Sequence, residues 1–434
     1  MAEINRVVVG NEVAPEGRRK PVVSELPLTR DEVEELIRQH NGSGGLDLSG
    51  RNLSFIDLSG TDLSGVILAG ASLRSARLRG VSLLEADLSQ AELVGVDLRE
   101  AKLTGADLHE ADLRQANLDR AHMGEANLER ADLSFASTVE AHMEGVVLRQ
   151  AKLTEANLQR AYLASSDLRE ADLTSANLQG ARLTMADLTG ADLKGSYLEN
   201  ALCVRAKFTG ADLTGSHLAG AYLNGAELSL AMTFAADMAG AHVEFVNWSR
   251  GYVLGDEKKR NFADAEAGYR SFRRRYDELG MHDHAREFFL REMTARRKAM
   301  WWGPGGSHSL WEGIRGLQPK LILRALWPHQ PFGWAISMLV DLISGYGERP
   351  FRVIFWWIAT VMGMSAVYYF TASITPTTWA NALYFSAASF TALGYDLWVG
   401  QVHPLARGLG AVEAFIGLVL LGLFLVTFVR RMTR

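Results

Sequence analysis

Residues 106–120 read ADLHEADLRQANLDR, which is one five-residue unit written three times. The unit runs without insertion from Leu48 to Trp248, with an apolar residue, most often Leu, at every fifth position except Thr138 and Thr233. A small residue, usually Ala from Ala71 onward, lies two positions before each apolar centre. This period matches neither a helix, with about 3.6 residues per turn, nor the two-residue alternation of a strand. The pattern predicts a short extended segment followed by a turn, repeated along the chain.

The position between the small and the apolar residue favours Asp and Asn, which hold turns through side-chain to backbone hydrogen bonds. If four units close one square coil, Leu packs inside and successive coils stack at about 4.8 Å, the strand spacing. The unit A(D/N)L resembles the pentapeptide-repeat family, which implies a right-handed quadrilateral β-helix over residues 46–248. We expect this domain to be a scaffold or regulatory element. Whether a cytoplasmic ligand or protein partner binds this domain stays open.

Charge and cysteine content limit what the chain can do. Acidic and basic side chains are interleaved along the repeat, and Arg74, Arg77 and Arg79 form a local basic group, so we expect no nucleic-acid partner. Cys203 is the single cysteine, which excludes an intramolecular disulfide and fits a reducing compartment. The sequence contains no Gly-rich phosphate loop, nucleophile–base pattern or metal-ligand cluster. We therefore predict a protein that is not an enzyme and needs no cofactor.

The start of the repeat needs a cover, since an open coil end invites edge-to-edge association. Residues 28–45 are predicted to supply it as a short capping helix, because Thr29 and Glu32 form a capping-box pattern. Residues 1–27 indicate a flexible N-terminal tail.

The five-residue period stops after Trp248, and residues 249–326 are predicted to form a helical hairpin connector and a linker. Apolar residues share one helical face in 262–280 and again in 282–299. Such a hairpin is typical of a cap that joins a solenoid to its next domain. Residues 327–349 mix Trp, Phe and aliphatic residues with one interior Asp, which favours an interfacial helix at a membrane surface.

Two apolar stretches near the C-terminus are long enough to cross a bilayer. Residues 353–375 contain no charged residue, and residues 408–429 contain only Glu413. Between them, residues 377–396 read TTWANALYFSAASFTALGYD, whose apolar part is too short to cross. Irregular backbone at membrane depth is tolerated where it lines water or lies inside protein. This segment is therefore predicted to be re-entrant and to face a pore.

Lys and Arg near the spans predict the orientation, because cytoplasmic loops carry the excess of positive charge. Arg349 and Arg352 precede the first span, and only Arg407 lies on the loop side. Three more follow the second span: Arg430, Arg431 and Arg434. We expect a two-pass protein of the cell membrane, inner or plasma, in contact with membrane lipid, with both termini cytoplasmic.

Two spans around a re-entrant helix that ends in TALGYD resemble the two-transmembrane potassium-channel pore family, over residues 350–434. The resemblance implies a homotetramer in which each chain supplies one copy of the selectivity filter. The filter residues that it implies are Thr391, Ala392, Leu393, Gly394, Tyr395 and Asp396. Backbone carbonyls of residues 392–395 would replace the water shell of permeant monovalent cations, K or Na. We expect no metal other than these permeant cations.

The filter departs from the family pattern T-T-V-G-Y-G-D at two positions. Ala392 stands where the second Thr would be, which removes a coordinating hydroxyl. Asp396 stands where the second Gly would be, or it is the closing Asp after a deletion of that Gly. In a tetramer Asp396 would form a ring of four carboxylates, which attracts cations. We therefore expect cation conduction with reduced selectivity for potassium.

The second span carries further candidates. Gly417 lies near the position where the family keeps a flexible inner-helix glycine, and Phe424 and Phe428 are candidates for the constriction below it. Glu413 is ionisable within a span, so it either supports the pore helix through a hydrogen bond or lies close enough to the outer interface to reach water.

The sequence thus predicts a homotetrameric cation channel with a potassium-channel-like pore and a cytoplasmic repeat domain. The alternative is a membrane-tethered binding scaffold, in which the two-span module only oligomerises the repeat domain. Ion flux separates the two functions.

Overall fold

The computed structural model describes residues 27–248, 251–302, 331–391 and 401–432. The chain divides into two compact units, of which the first ends at Asp192 and the second begins at Leu193.

In the first unit, each coil of the repeat pairs with the next through parallel bridges between residues 20 positions apart, such as Asp47 with Ile67 and Asp87 with Asp107. The amide of Leu48 donates to the carbonyl of Ile67 (2.7 Å). Twenty residues are four of the five-residue units, so four units close one coil. The predicted quadrilateral β-helix is confirmed.

The turns between units explain why Asp and Asn are favoured at the position before each apolar centre. The amide of Arg51 donates to the carbonyl of Leu48 (3.1 Å), and Gly50 between them has φ +62°. This left-handed conformation costs a residue with a side chain more than it costs glycine. Asp47 secures the turn by accepting a hydrogen bond from the amide of Ser49 (2.9 Å), which is the stabilisation that the sequence predicts for Asp and Asn.

The interior of the coils consists of the apolar centres and the small residues before them. Leu108, Leu113 and Ala106 are 0–1% exposed. Full burial of one leucine side chain stabilises a fold by roughly 1.5–3 kcal/mol. Because most units add a buried leucine, the repeat stabilises itself coil by coil.

Helix α1, Arg30–Gln39, covers the first coil. Its predicted capping box is present: the hydroxyl of Thr29 accepts from the amide of Glu32, whose carboxylate accepts from the amide of Thr29. Val33 is fully buried, and the amide of Leu28 donates to the carbonyl of Asn52 in the first coils (2.8 Å). The exposed backbone of the first coil is thereby partly paired.

The second unit begins with further coils of the same kind, with Tyr197 paired to His217 and Glu227 paired to Asn247. Cys203 takes the place of a leucine in one of these coils and is 0% exposed. Burial raises the pKa of its thiol to about 12. This cysteine therefore fills the core and is not a reactive thiol.

A helical cap closes these coils. It consists of α2, Gly255–Lys258, which the sequence pattern missed, and the predicted hairpin of α3, Phe262–Glu278, and α4, His282–Trp302. The indole of Trp248 donates to the hydroxyl of Tyr276 (3.0 Å), which donates to the carbonyl of Val243 (3.0 Å). The hairpin thus pairs the backbone of the last coil, as expected of a cap.

The rest of the second unit is a helical module. Its helices are α5, Pro331–Ser344; α6, Pro350–Phe370; α7, Trp379–Phe390; and α8, Pro404–Met432. Helices α6 and α8 are long and apolar enough to cross a membrane. The first span ends at Phe370, five residues before the predicted end. The chain leaves the helix there to form β1, Ile374–Thr375, which pairs antiparallel with β2, Gln401–Val402.

The ion pair of Asp167 and Arg169 yields a prediction of pH dependence. Hydrogen bonds from Arg169 (2.6 and 2.8 Å) lower the pKa of the Asp167 carboxyl to about 2. Asp167→Asn should lower the free energy of unfolding at pH 7 by roughly 1–2 kcal/mol, since hydrogen bonds to charged groups contribute most. The depressed pKa adds stability above the unfolded pKa, near 4, which is lost as pH falls toward 2.

Unfolding followed by circular dichroism at several pH values checks this expectation. The difference between wild type and Asp167→Asn should close between about pH 4 and about pH 2. Asp237→Asn is the matched control, because Asp237 accepts from the amide of Ala239 (3.0 Å) and asparagine can accept the same bond. A difference that is equal at pH 7 and pH 2 would contradict the assignment.

Candidate pore module

Helix α7, Trp379–Phe390, lies within residues 377–396, the segment that the sequence predicts to be re-entrant. Its 12 residues give a length of about 18 Å, against about 30 Å for the hydrocarbon core of a bilayer. The hydroxyl of Thr378 caps its first turn by accepting from the amide of Asn381 (3.2 Å). At the other end the hydroxyl of Thr391 donates to the carbonyl of Ala387 (2.8 Å).

A buried polar junction ties α7 to both long helices. Glu413 on α8 is 0% exposed, and its Oε2 accepts from the hydroxyl of Tyr368 on α6 (2.9 Å). Its Oε1 is hydrogen-bonded to the hydroxyl of Ser386 on α7, which also lies 2.9 Å from the carbonyl oxygen of Val361. A serine hydroxyl carries one proton, so Ser386 donates to one of these oxygens at a time. We call Glu413, Tyr368 and Ser386 the Glu413 junction.

The side chain of Glu413, which extends from α8, therefore lies against α6 and α7 and not at an aqueous surface. A buried carboxyl group without partners is costly in an apolar medium. Each hydroxyl of the junction supplies a partner, and each comes from a different helix. Removal of Glu413 would take a partner from both hydroxyls, and removal of either hydroxyl would take a partner from the carboxyl group.

Apolar packing surrounds the junction. The ring of Tyr368 meets the ring of Phe385 edge to face, with centroids 4.9 Å apart. These two residues belong to one buried cluster with Ile374, Ala382 and Ala406. A second cluster contains Val353, Phe390 and Leu420. Helix α7 is thus packed against α6 and α8 along its length.

Gly417 provides the closest approach between α7 and α8. A Cβ atom at this position would lie 2.0 Å from the carbonyl oxygen of Phe390, well inside van der Waals contact. Helix α8 runs through Gly417 without interruption. The glycine therefore allows the end of α7 to reach the inner helix. Its predicted role as a hinge stays a prediction.

The other predicted site residues fall into two groups. The rings of Phe424 and Phe428 stack with centroids 5.6 Å apart, and Phe424 packs against the cluster of Val353, Phe390 and Leu420. Of the predicted filter, Thr391 is described as the C-cap of α7. The remaining filter residues lie outside the described residues: Ala392, Leu393, Gly394, Tyr395 and Asp396.

Helix α8 buries one narrow stripe and leaves the rest of its surface open. Buried residues recur at intervals of seven, at Ala406, Glu413, Leu420 and Thr427. Several large apolar side chains outside this stripe are more than half exposed, among them Phe415, Leu418 and Val426. Such a surface is stable in lipid or against other chains, and unfavourable in water.

Sequence reasoning identified Glu413 but missed its two partners. Tyr368 and Ser386 each lie in an apolar segment, 45 and 27 residues away from Glu413 along the chain. Polar residues within such segments are a usable signal, because each needs a partner at membrane depth. The pattern does not show which pairs meet. Within the described ranges, no three His, Cys, Asp or Glu side chains are grouped to hold a metal ion.

Gly417→Ala tests the close approach of the two helices. We expect a loss of roughly 1–3 kcal/mol in the free energy of unfolding, because the added methyl group forces α7 and α8 apart. Gly422→Ala is the matched control on the same helix, since a Cβ there meets nothing within 4 Å. Thermal unfolding in detergent compares the two. Equal effects of the two substitutions would exclude a packing role for Gly417.

Glu413→Leu and Glu413→Gln test the Glu413 junction. A glutamine can accept from Tyr368 through its oxygen and donate to Ser386 through its nitrogen, whereas leucine can do neither. Glu413→Leu should cost about 1–3 kcal/mol through the lost partner of a buried hydroxyl, and Glu413→Gln should cost less. Thermal unfolding of the full chain in detergent gives the measurement. If leucine is tolerated as well as glutamine, the hydrogen bonds do not hold the helices.

Two family models match the chain. The pentapeptide-repeat model matches residues 45–80, 82–120, 126–163, 156–195 and 201–231. The ion-channel model matches residues 355–434, which contain α7, α8 and most of α6. No curated protein matches the chain. Both families are non-enzymatic kinds of protein.

Solved structures similar to parts of the chain are pentapeptide-repeat proteins. HetL, involved in heterocyst differentiation regulation in the cyanobacterium Nostoc sp., is 32% identical over 50% of this chain and 94% of its own, with a TM-score of 0.27. A protein of the Arabidopsis thaliana thylakoid lumen is 28% identical over 27% of this chain and 69% of its own, with a TM-score of 0.16. QnrB1, a plasmid-mediated fluoroquinolone resistance protein, is 19% identical over 40% of this chain and 90% of its own, with a TM-score of 0.24. From the family models and the coils and helices described above, the chain is a pentapeptide-repeat protein with an ion-channel domain at its C-terminus.

Proposed function

We propose that the chain is the subunit of a homotetrameric cation channel with reduced selectivity for potassium. The observation that carries this proposal is helix α7, which is too short to cross a membrane and is held between two helices of spanning length. It ends at Phe390, directly before the stretch TALGYD that resembles a potassium-channel filter. A helix aims the negative end of its dipole along its C-terminal direction, which favours a cation beyond that end.

The ion path in this proposal is built from backbone. Carbonyls of residues 392–395 bind the permeant cation, K or Na, and four chains complete the ring. One chain supplies a single copy of the filter, so conduction requires assembly. The exposed apolar surface of α8 supports assembly in a membrane, because it offers contact area to neighbouring copies as well as to lipid.

The proposal of reduced selectivity for potassium rests on two departures from the family filter. Ala392 has no hydroxyl for the innermost ion site, and Asp396 places a carboxylate where the family has glycine or its closing Asp. A carboxylate ring attracts cations of either kind, whereas the geometry of the carbonyl sites distinguishes K from Na. We expect both ions to permeate, with a preference for potassium that is weaker than in the family.

The repeat domain is proposed to lie in the cytoplasm of a cell with this channel in its inner or plasma membrane. The arginines that flank α6 and α8 support this orientation through the excess of positive charge on the cytoplasmic side. The β-helix is stabilised coil by coil and closed by a cap, so it suits a rigid scaffold or a regulatory element. An unidentified cytoplasmic ligand or protein is the partner that such a surface would bind.

Reconstituted full-length protein tests the channel directly. Liposomes should take up potassium and sodium, and a bi-ionic reversal potential should show a modest preference for potassium. Chemical cross-linking of the same preparation should give species up to four chains. Gly394→Leu should abolish flux without dispersing the oligomer, while Gly422→Ala should conduct like wild type. An intact oligomer that passes neither ion would favour the membrane-tethered scaffold instead.

A further inference from the structure

Helix α5 lies between the cap and the pore module and carries one interior acidic residue, Asp341. The guanidinium of Arg297 on α4 donates to Oδ2 of Asp341 (2.5 Å). The guanidinium of Arg352 on α6 donates to the backbone carbonyl of Asp341 (3.1 Å) and lies 3.8 Å from its Oδ1. One residue of α5 thus holds a cation from the helix before it and a cation from the helix after it.

This arrangement, which we call the Asp341 bridge, is sheltered from solvent. The side chains of Arg297 and Asp341 are 22% and 29% exposed. Ion pairs that are partly buried are screened less by salt than pairs on an open surface. Trp301 on α4 and Trp334 on α5 pack beside it, with ring centroids 4.5 Å apart. Helices α4 and α5 are therefore joined by charge and by aromatic packing at the same place.

Helix α5 also reaches the end of the pore helix. Ile343, two residues after Asp341, packs against the buried cluster of Val353, Phe390 and Leu420. The indole of Trp356 on α6 donates to the carbonyl of Leu342 (2.9 Å). Phe390 is the last residue of α7, and its carbonyl is the group that meets Gly417. Packed side chains thus run without a gap from α4 through α5 to the contact between α7 and α8.

We propose that Asp341 is a positioning residue for ion conduction, which couples the position of the cap to the opening of the pore. A shift of α4 moves Asp341 through Arg297, and α5 transmits the shift to α6 through Arg352 and to Phe390 through Ile343. This inference rests on the proposed channel function. Coupling of this kind requires that the two ends bias one equilibrium between closed and open pore.

A double-mutant cycle on the full-length protein in liposomes measures that bias. The variants are Arg297→Gln, Asp341→Asn and the two together, which remove the two charges of the ion pair one at a time and then jointly. Each single variant should change the ratio of open to closed time by about 5-fold or more, the usual lower range of coupling between sites. The double variant should change it no further than the larger single, because both remove one interaction.

Two further measurements separate a coupling role from a merely structural one. Thermal unfolding should change little in the variants that shift the open ratio. Deuterium uptake by the amides of residues 331–344 should rise in each single variant and no further in the double. The matched control is Asp283→Asn on α4, because Asp283 is 91% exposed and lies 3.4 Å from Arg286 on the same helix; it should leave all three readings unchanged.

The inference is overturned if the single variants leave the open ratio unchanged, or if their effects multiply in the double variant. It is also overturned if Asp283→Asn gives the same shifts. A wild-type protein that passes no ions would defeat the proposed channel function and, with it, the role of Asp341 in opening. In that case deuterium uptake would still show whether the Asp341 bridge joins α4 to α5.

Discussion

The carboxyl group of Glu413 is the contact on which the pore module depends. It accepts hydrogen bonds from Tyr368 on α6 and Ser386 on α7 while its own helix is α8, so one buried group joins all three. A helix as short as α7 has no stable place in a bilayer by itself. It needs packing on both sides and a fixed depth, which the Glu413 junction and the contact of Phe390 with Gly417 provide together.

The same requirement, that buried polar groups be paired, shapes the repeat domain. Amides of one coil donate to carbonyls of the next, and Asp or Asn side chains pair with amides in the turns. The end coils leave such groups unpaired unless something covers them. Helix α1 and the hairpin of α3 and α4 do so, through Leu28 at one end and Tyr276 at the other. The β-helix therefore depends on its caps as well as on its buried leucines.

Sequence reasoning predicted the features that depend on local repetition or on length. The coil of four units, the capping box of Thr29 and Glu32, and a short helix within residues 377–396 are all present. It missed α2, the short β1–β2 pair, and the partners of Glu413. Helix α2 has only four residues, too few to show a period. The β1–β2 pair and the partners of Glu413 depend on residues far apart in the chain, for which periodicity carries no information. The sequence does not distinguish between two polar residues in apolar segments as partners of Glu413. Packing decides which of them reaches the carboxyl group.

The sequence by itself determined the class of each part: a five-residue period predicts a coil, and two long apolar stretches with a short one between predict a spanning module with a re-entrant segment. The tertiary structure decided which groups hold these parts together. Gly417 has a packing role because Phe390 lies against it, and Asp341 joins α4 to α6 because α5 is folded between them. Distances between residues of different helices follow from packing, so they are defined only in the folded structure.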